Sequence, residues 1–272
     1  MMQSKKNIVA IIQARLGSTR LPGKILMKIQ NKPILYYVLN QVQHSKKITK
    51  IIVATTTNIQ DDQIANFSSS FGIDFFRGDE NDVLDRYYQC AKKLTSEIFV
   101  RITSDCPLID PNLIDNCIDE FSKNNYDYFS NIHKKDGNLW TYNPSGYPMG
   151  FAVEVFSFDA LKTAWINSKK LSEREHVTLY ILNHPEIFKI GNIENTNDHS
   201  DIRLTLDYKE DFDLIKIVIE HFPKNEIFDL QKIISFIENK PELKNINSKY
   251  DFDESLKCSL KEDDIFKNLK KT

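Results

Sequence analysis

Long apolar runs are the first thing this 272-residue chain lacks. No stretch approaches the ~20 apolar residues of a membrane span. The run "IVAII" behind Lys5 and Lys6 ends at Gln13 and Arg15, too short for the core of a secretory signal. Cysteine is scarce as well. Cys90, Cys106, Cys117 and Cys258 form no Cys-x-x-Cys pair and no metal-ligand spacing, which predicts reduced thiols in a cytoplasmic protein. A charge excess is also missing: 36 basic residues face 38 acidic ones. No global positive field therefore exists to hold nucleic acid nonspecifically. The 11 Tyr and 17 Phe residues form no stripe interleaved with basic side chains, so stacking on single-stranded RNA is not expected. Internal repeats and Gly/Ser linkers are absent, which favours one domain.

What is present is a globular composition, 41% hydrophobic and 27% charged, enough for one substantial core. Apolar runs alternate with helical patterns. "NIVAIIQ", "KIIVATT", "IDFF" and "EIFVRIT" read as strands. Between them, "PILYYVLNQVQHS", opening at Pro33, "DDQIANFSSSF" and "NDVLDRYYQCAKKL" read as helices. "PNLIDNCIDEF" adds a helix with Asp110 as N-cap and Pro111 at its first position. The alternation predicts a parallel sheet covered on both faces. After residue 126 the rhythm changes. Strands "YDYFSNI" and "GFAVEVFS" are joined by a polar stretch holding Gly137, Pro144, Gly146 and Pro148. The helix "FDALKTAWINS" and another beginning at Ser172 follow, then strands "IFKIGNI" and "IRLTLD" and the amphipathic helix "YKEDFDLIKIVIEHF". The lysine- and asparagine-rich end reads as a loosely docked helix or tail.

In open α/β sheets, ligands sit outside the carboxyl ends of the strands, and three polar clusters fall at such ends. The first is "AIIQARLGSTRLPGKILMKI". It is not the mononucleotide loop G-x-x-x-x-G-K-[ST]: five residues, not four, separate Gly17 from Gly23, and Ile25 stands where a metal-binding hydroxyl would follow Lys24. A kinase or ATPase reading loses its support. The second cluster is "RITSDCPLID", with Asp105, and the third is "RLTLDYKED", with Asp207. Cations and backbone amides of the first would hold an anionic polyphosphate, and the two carboxylates would hold magnesium bridging its oxygens. Each element also has a plainer reading. Asp207 with Glu210 fits a D-x-x-E helix cap, and Asp105 fits a cap on the turn before Pro107. Arg20 and Lys28 fit solvated surface charges. Arg15 follows a buried strand with no acidic neighbour nearby in sequence.

Taken together, "QARLGSTRLPGKIL", "ATTTN", "FRGDENDVLDRYY", "VRITSDCPLIDP", "EVFSFDAL", "EREHVT" and "RLTLDYKEDFDLI" resemble the cytidylyltransferases of the spore-coat polysaccharide type. These are relatives of the acylneuraminate and 3-deoxy-manno-octulosonate (KDO) cytidylyltransferases. The resemblance implies a Rossmann-like nucleotide-diphospho-sugar transferase fold, an α/β architecture with a mostly parallel mixed sheet and helices on both faces. It implies transfer of CMP from CTP to a sugar, with release of pyrophosphate, for surface polysaccharide or glycan synthesis. The transferase domain would span residues 1–240, with the acceptor side within 126–200, followed by a tail over 241–272.

By the same resemblance, Arg15 and Lys24 hold the triphosphate, and backbone amides around Gly17, Ser18 and Thr19 complete the cradle. Gln13, Ala14, Thr55, Arg77 and Asp82 fall where relatives approach the nucleotide, although Asp82 equally fits a helix-start acid. Asp105 and Asp207 correspond to the magnesium ligands, with manganese a possible substitute. Arg15, Lys24, Asp105 and Asp207 are thus the expected catalytic set. The chain departs from the pattern at Ala152, where many members carry an acid, and at Tyr208-Lys209, where a Thr-Pro pair is common.

On the acceptor side the candidates are Arg101, Glu154, Arg174 and His176. Ser172 and Glu175 of "LSEREHVTLYI" fit a capping box. Two arginines suit an anionic acceptor, because forked guanidinium donors match a carboxylate; the expected acceptor is a small acidic sugar, nonulosonic or related. The alternative is that both arginines pair with nearby acids, and that His176 is a packed histidine. No side-chain general base is evident. Two other functions stay open at this point: a glycosyltransferase of related fold, and a non-catalytic nucleotide-binding subunit. A homodimer is expected from the relatives alone.

Overall fold

Alternate residues of the first strand divide the interior in two. Ile8, Ala10 and Ile12 enter one apolar core and Val9 and Ile11 the other, as the two-residue period of a strand buried on both faces requires. The computed structural model describes residues 7–136, 139–142, 145–251 and 254–269; Lys5, Lys6, Gly137 and Pro144 lie outside them. In chain order the elements are β1 (Ile8–Gln13), β2 (Lys28–Ile29), β3 (Lys32–Pro33), α1 (Ile34–Gln43), β4 (Lys50–Thr56), α2 (Asp62–Ser70), β5 (Asp74–Gly78), α3 (Val83–Lys92), β6 (Ile98–Thr103), α4 (Pro111–Asn124), β7 (Tyr128–Ser130), β8 (His133–Asp136), β9 (Leu139–Tyr142), β10 (Glu154–Ser157), α5 (Phe158–Asn167), α6 (Leu171–Glu175), α7 (Leu179–Asn183), β11 (Ile190–Asn192), α8 (Lys209–His221), α9 (Leu230–Glu238) and α10 (Glu254–Leu269). Among the described residues, no helix is long and apolar enough to cross a membrane.

A seven-stranded sheet runs in the order β11-β7-β10-β6-β1-β4-β5. Strand β1 is parallel to β4 and β6, β4 to β5, and β7 to β11, while β10 runs antiparallel to β6 and β7. This is the mostly parallel mixed sheet that the resemblance implied. The chain builds outward from β1 to β5, then returns to lay β6 on the other side of β1. Such a reversal opens a crevice at the carboxyl ends of the strands. There Gln13 stands in register with Ala54 and with Thr103, so the loops after β1, β4 and β6 emerge at one level.

Local chemistry sets the helix starts. Asp110 accepts from the Asn112 N–H at 2.7 Å and Pro111 opens α4, as its sequence predicts. Pro33 precedes α1 as its N-cap and is not its first residue. Two expectations need correction. "IRLTLD" joins no sheet, because its backbone pairs with Met149 and Asp105 instead of with a sheet strand. It is held by a bridge between Met149 and Arg203 and by the Leu206 N–H on the Asp105 carbonyl at 2.9 Å. The approach is close: a Cβ on Gly150, whose φ is +101°, would lie 2.5 Å from the Leu204 carbonyl. The second correction concerns Ser172, which caps nothing. Its hydroxyl donates to Asp263 of α10 at 2.5 Å, and α6 begins one residue earlier, at Leu171.

Candidate active site

The loop after β1 is shaped by a residue that sequence reading assigned only to an amphipathic helix. Asp61, fully buried, accepts from the Leu16 N–H at 2.8 Å and from the Thr56 hydroxyl at 2.5 Å. The Leu16 carbonyl in turn accepts from Ser18 N–H and Gly23 N–H, curling residues 16–23 into a compact turn. Gly23 has φ +68°, a left-handed conformation that favours glycine, and it delivers Lys24 into the protein.

Lys24 is the centre of the site. Its ammonium touches Asp105 at 3.0 Å, Asp207 at 2.9 Å and the Leu206 carbonyl at 2.6 Å, which matches the three donors of the group. Burial alone would lower its pKa, but the two carboxylates more than offset this and raise it. Burial likewise works to raise Asp105, and the Lys24 charge overrides it, holding Asp105 below the usual carboxylate range. Thus Asp105 and Asp207, far apart in sequence, share one nitrogen beside the opening loop.

Asp207 gathers two further cations, Arg20 at 2.7 Å and Arg203 at 3.2 Å. Sequence reading left Arg20 as a surface charge and did not single out Arg203 or Asp211. Arg203 also binds Asp211 at 2.9 Å, and Asp211 accepts the N–H groups of Asp207 and Tyr208, each at 2.9 Å. The helix-cap alternative for Asp207 is therefore not realised: Asp211 satisfies the backbone at the start of α8, and Glu210 pairs with Lys249 and Tyr250. The signal in sequence was the spacing of Arg203, Asp207 and Asp211, which repeats every four residues.

The other nucleotide-side candidates divide. The Arg15 side chain is 41% exposed, with Glu80 no nearer than 4.0 Å, so its charge is open to a ligand. Ala14 is buried and Thr19 exposed, and Ser18 accepts weakly from the Leu21 N–H at 3.4 Å. Thr55 is buried, and its hydroxyl has no partner among the described residues. Arg77 instead ties down its own surroundings, donating to the carbonyls of Thr56 and Asn58 and to Asp62. Asp82 takes the plainer role, capping α3 through the Asp85 N–H at 2.8 Å.

The acceptor-side candidates meet acids, as the alternative for the arginines held. Arg174 is paired with Asp82 and donates to the Trp165 carbonyl. Arg101 and Glu154, opposite each other on β6 and β10, form a buried ion pair. Arg101 also donates to Gln13 at 3.0 Å. Glu154 further accepts from the hydroxyls of Tyr128 at 2.8 Å and Thr178 at 2.5 Å. Burial works to raise the Glu154 pKa, but Arg101 leads the groups that lower it overall. His133 lies against Tyr128, and burial pushes its pKa down to about 4. Sequence reading missed Tyr128, His133 and Thr178. His176 meets Ser259 of α10 at 3.0 Å.

Among the described residues no group of three or more His, Cys, Asp or Glu side chains could hold a metal ion by itself. Two carboxylates that converge on one nitrogen do fit magnesium, which commonly binds through one or two carboxylates and completes its shell with substrate phosphates and water. A reversed sheet order, a cationic loop after β1 and two aspartates that converge on Lys24 beside it define a nucleotidyltransferase of Rossmann-like fold.

The comparisons narrow the class. The cytidylyltransferase family matches residues 9–245, and the chain belongs to that family of CTP-dependent nucleotidyltransferases. The spore coat polysaccharide biosynthesis protein SpsF of Bacillus subtilis is 30% identical over 243 residues, 87% of this chain and 96% of that protein. A 3-deoxy-manno-octulosonate cytidylyltransferase of Geobacter sulfurreducens is 36% identical over 120 residues, 43% of this chain and 46% of the other. A solved cytidylyltransferase structure from Leptospira borgpetersenii superposes with a TM-score of 0.80 at 30% identity, over 92% of this chain and 100% of that one. Membership sets aside the glycosyltransferase and non-catalytic readings.

Proposed function

We propose that the enzyme transfers CMP from CTP to an acidic sugar, nonulosonic or related, and releases pyrophosphate, in the synthesis of a surface polysaccharide or glycan. The observation that carries the reading is the convergence of Asp105 and Asp207 on Lys24 beside the 15–24 loop. The acidic acceptor rests on the relatives that act on 3-deoxy-manno-octulosonate, since Arg101 and Arg174 are both paired internally. Pairing of two copies belongs to the same reading, with solution mass as its check.

An acceptor oxygen attacks the α-phosphorus in line with departing pyrophosphate, a reaction governed by positioning and charge balance. The backbone amides of Gly17 and Thr19 face the phosphates, while those of Leu16 and Ser18 are committed to Asp61 and to the Leu16 carbonyl. Arg15, held on the loop and exposed, balances charge growing on the leaving group. Lys24 exchanges a carboxylate contact for a phosphate oxygen, and its burial keeps competing water away. Magnesium, or manganese in its place, would be held by Asp105 and Asp207 and would supply charge neutralisation and a lower pKa for the acceptor hydroxyl. Asp211 and Arg203 fix the orientation of Asp207.

The test is pyrophosphate release from CTP against a panel of acidic and neutral sugars. Turnover with a sugar acid, reduced roughly 10²–10³-fold or more in Asp105→Asn, supports the reading. Preference for a neutral sugar contradicts the acidic acceptor, and unchanged turnover in Asp105→Asn removes that residue from the metal site.

A further inference from the structure

The chain beyond residue 245, where the family match ends, folds back onto the catalytic half. Helix α10 contacts it through Glu254, Ser259 and Asp263. Glu254 accepts from the Tyr208 hydroxyl at 2.5 Å and lies 3.5 Å from Arg20. Ser259 sits between Glu175 and His176, and Asp263 accepts from both the N–H and the hydroxyl of Ser172. Ser259 and Asp263 are 3% and 6% exposed, so these contacts are made out of water.

The proton count at Ser259 is informative. Its hydroxyl lies 2.5 Å from Glu175 and 3.1 Å from the Ser255 carbonyl, and both partners only accept. The single hydroxyl proton is committed to them. The His176 Nε2 contact at 3.0 Å is then a hydrogen bond only if Nε2 carries the proton and donates to the serine oxygen. A neutral imidazole so protonated has its lone pair on Nδ1. Among the described residues, no hydrogen bond reaches Nδ1.

The backbone beside this ring is strained. Val177 has φ +49°, an outlier for a β-branched residue, in a tight turn where Thr178 N–H bonds to the His176 carbonyl. Such strain persists only where the surroundings enforce it, and it gathers at functional sites. Here it is enforced from both sides, by Thr178 on Glu154 and by His176 on Ser259. A continuous set of contacts thus runs from Gln13 at the crevice through Arg101, Glu154 and Thr178 to His176.

We propose that α10 is a wall of the acceptor half of the site, and that Ser259 is a positioning residue. It fixes His176 as the Nε2–H tautomer, so that Nδ1 accepts a hydrogen bond from a hydroxyl of a polyhydroxylated acceptor. The proposal rests on the cytidylyl-transfer reading for the identity of that acceptor, and on geometry alone for the tautomer.

The experiment is made on the full chain with ¹⁵N-histidine, comparing wild type with Ser259→Ala and Ser259→Thr, His176→Gln serving to assign the resonance. The expected result is a single Nε2–H tautomer at His176 in wild type and Ser259→Thr, and a mixture in Ser259→Ala. The acceptor KM, for the sugar selected by pyrophosphate release, should rise about tenfold in Ser259→Ala. CTP affinity measured by calorimetry should stay unchanged. A wild-type Nδ1–H tautomer overturns the proposal, and so does an unchanged acceptor KM in folded Ser259→Ala. Failure of CTP to bind wild type would overturn the cytidylyl-transfer reading instead, leaving the tautomer result to decide the role of Ser259.

Discussion

Two charge clusters lie on either side of the same strand ends, and they differ in access. In the loop cluster, the side chain of Asp105 is 25% exposed and shares Lys24 with Asp207. In the sheet cluster, Glu154 is 2% exposed and closed in by Arg101, Tyr128 and Thr178. The loop cluster is open at Asp105, and on the proposed reading its ammonium turns from a carboxylate to a phosphate. The sheet cluster is sealed, and its charges fix how β6, β10 and the turn after α6 sit together. On the proposed reading, similar residue types serve chemistry on one side and geometry on the other.

The largest expected effect breaks the sealed pair. Glu154→Gln should cost roughly 3–5 kcal/mol of stability, because it leaves the Arg101 charge buried without its counter-ion. Replacing both residues with apolar ones, Arg101→Met with Glu154→Leu, should recover much of that loss. In Asp105→Asn, by contrast, Lys24 keeps Asp207 and the Leu206 carbonyl, so its stability cost should be nearer ~1 kcal/mol. Denaturant unfolding of the three variants checks the comparison. An equal cost for Glu154→Gln and Asp105→Asn would erase the distinction between the two clusters.

A smaller effect comes from His133 at the edge of the sealed cluster. Its pKa is pushed from 6.5 down to about 4 by burial, so the unfolded chain binds a proton there before the folded one does. Stability from this residue is complete above the unfolded pKa and declines as pH falls from about 6.5 towards 4. Melting temperature measured over that range should fall, and His133→Gln should flatten the slope. A slope identical to wild type would remove His133 from the acid response. The smallest effect belongs to exposed charge: Lys209→Ala, which breaks an i,i+4 pair with Asp213 on the surface of α8, should change stability by no more than about 0.5 kcal/mol.

The loop cluster was legible in sequence because its residue types are unusual at strand ends and its motif is dense. Lys24, Asp105 and Asp207 could be chosen without knowing the fold, whereas Arg20, which also meets Asp207, read as a solvated charge. The sealed cluster was legible only as separate candidates, since Arg101 meets Glu154 through an antiparallel pairing of β6 and β10 within an otherwise parallel neighbourhood. Nothing in the local pattern of either strand announces that pairing. The same limit explains Ser172, whose S-x-x-E spacing fits a capping box while its real partner, Asp263, is 91 residues away. "IRLTLD" alternates as a strand should, but its backbone pairs with Met149 and Asp105 outside the sheet. Short-range rules describe what a segment can do, and distant partners decide between the possibilities.

The central claim is that the loop carrying Lys24 holds the phosphates that leave. Calorimetric titration of Lys24→Ala with CTP and with CMP tests it directly. The account predicts that CTP affinity falls roughly 10- to 100-fold, as expected for a lost charge-assisted hydrogen bond, while CMP affinity changes little. Equal losses for the two nucleotides, or none for CTP, would contradict it.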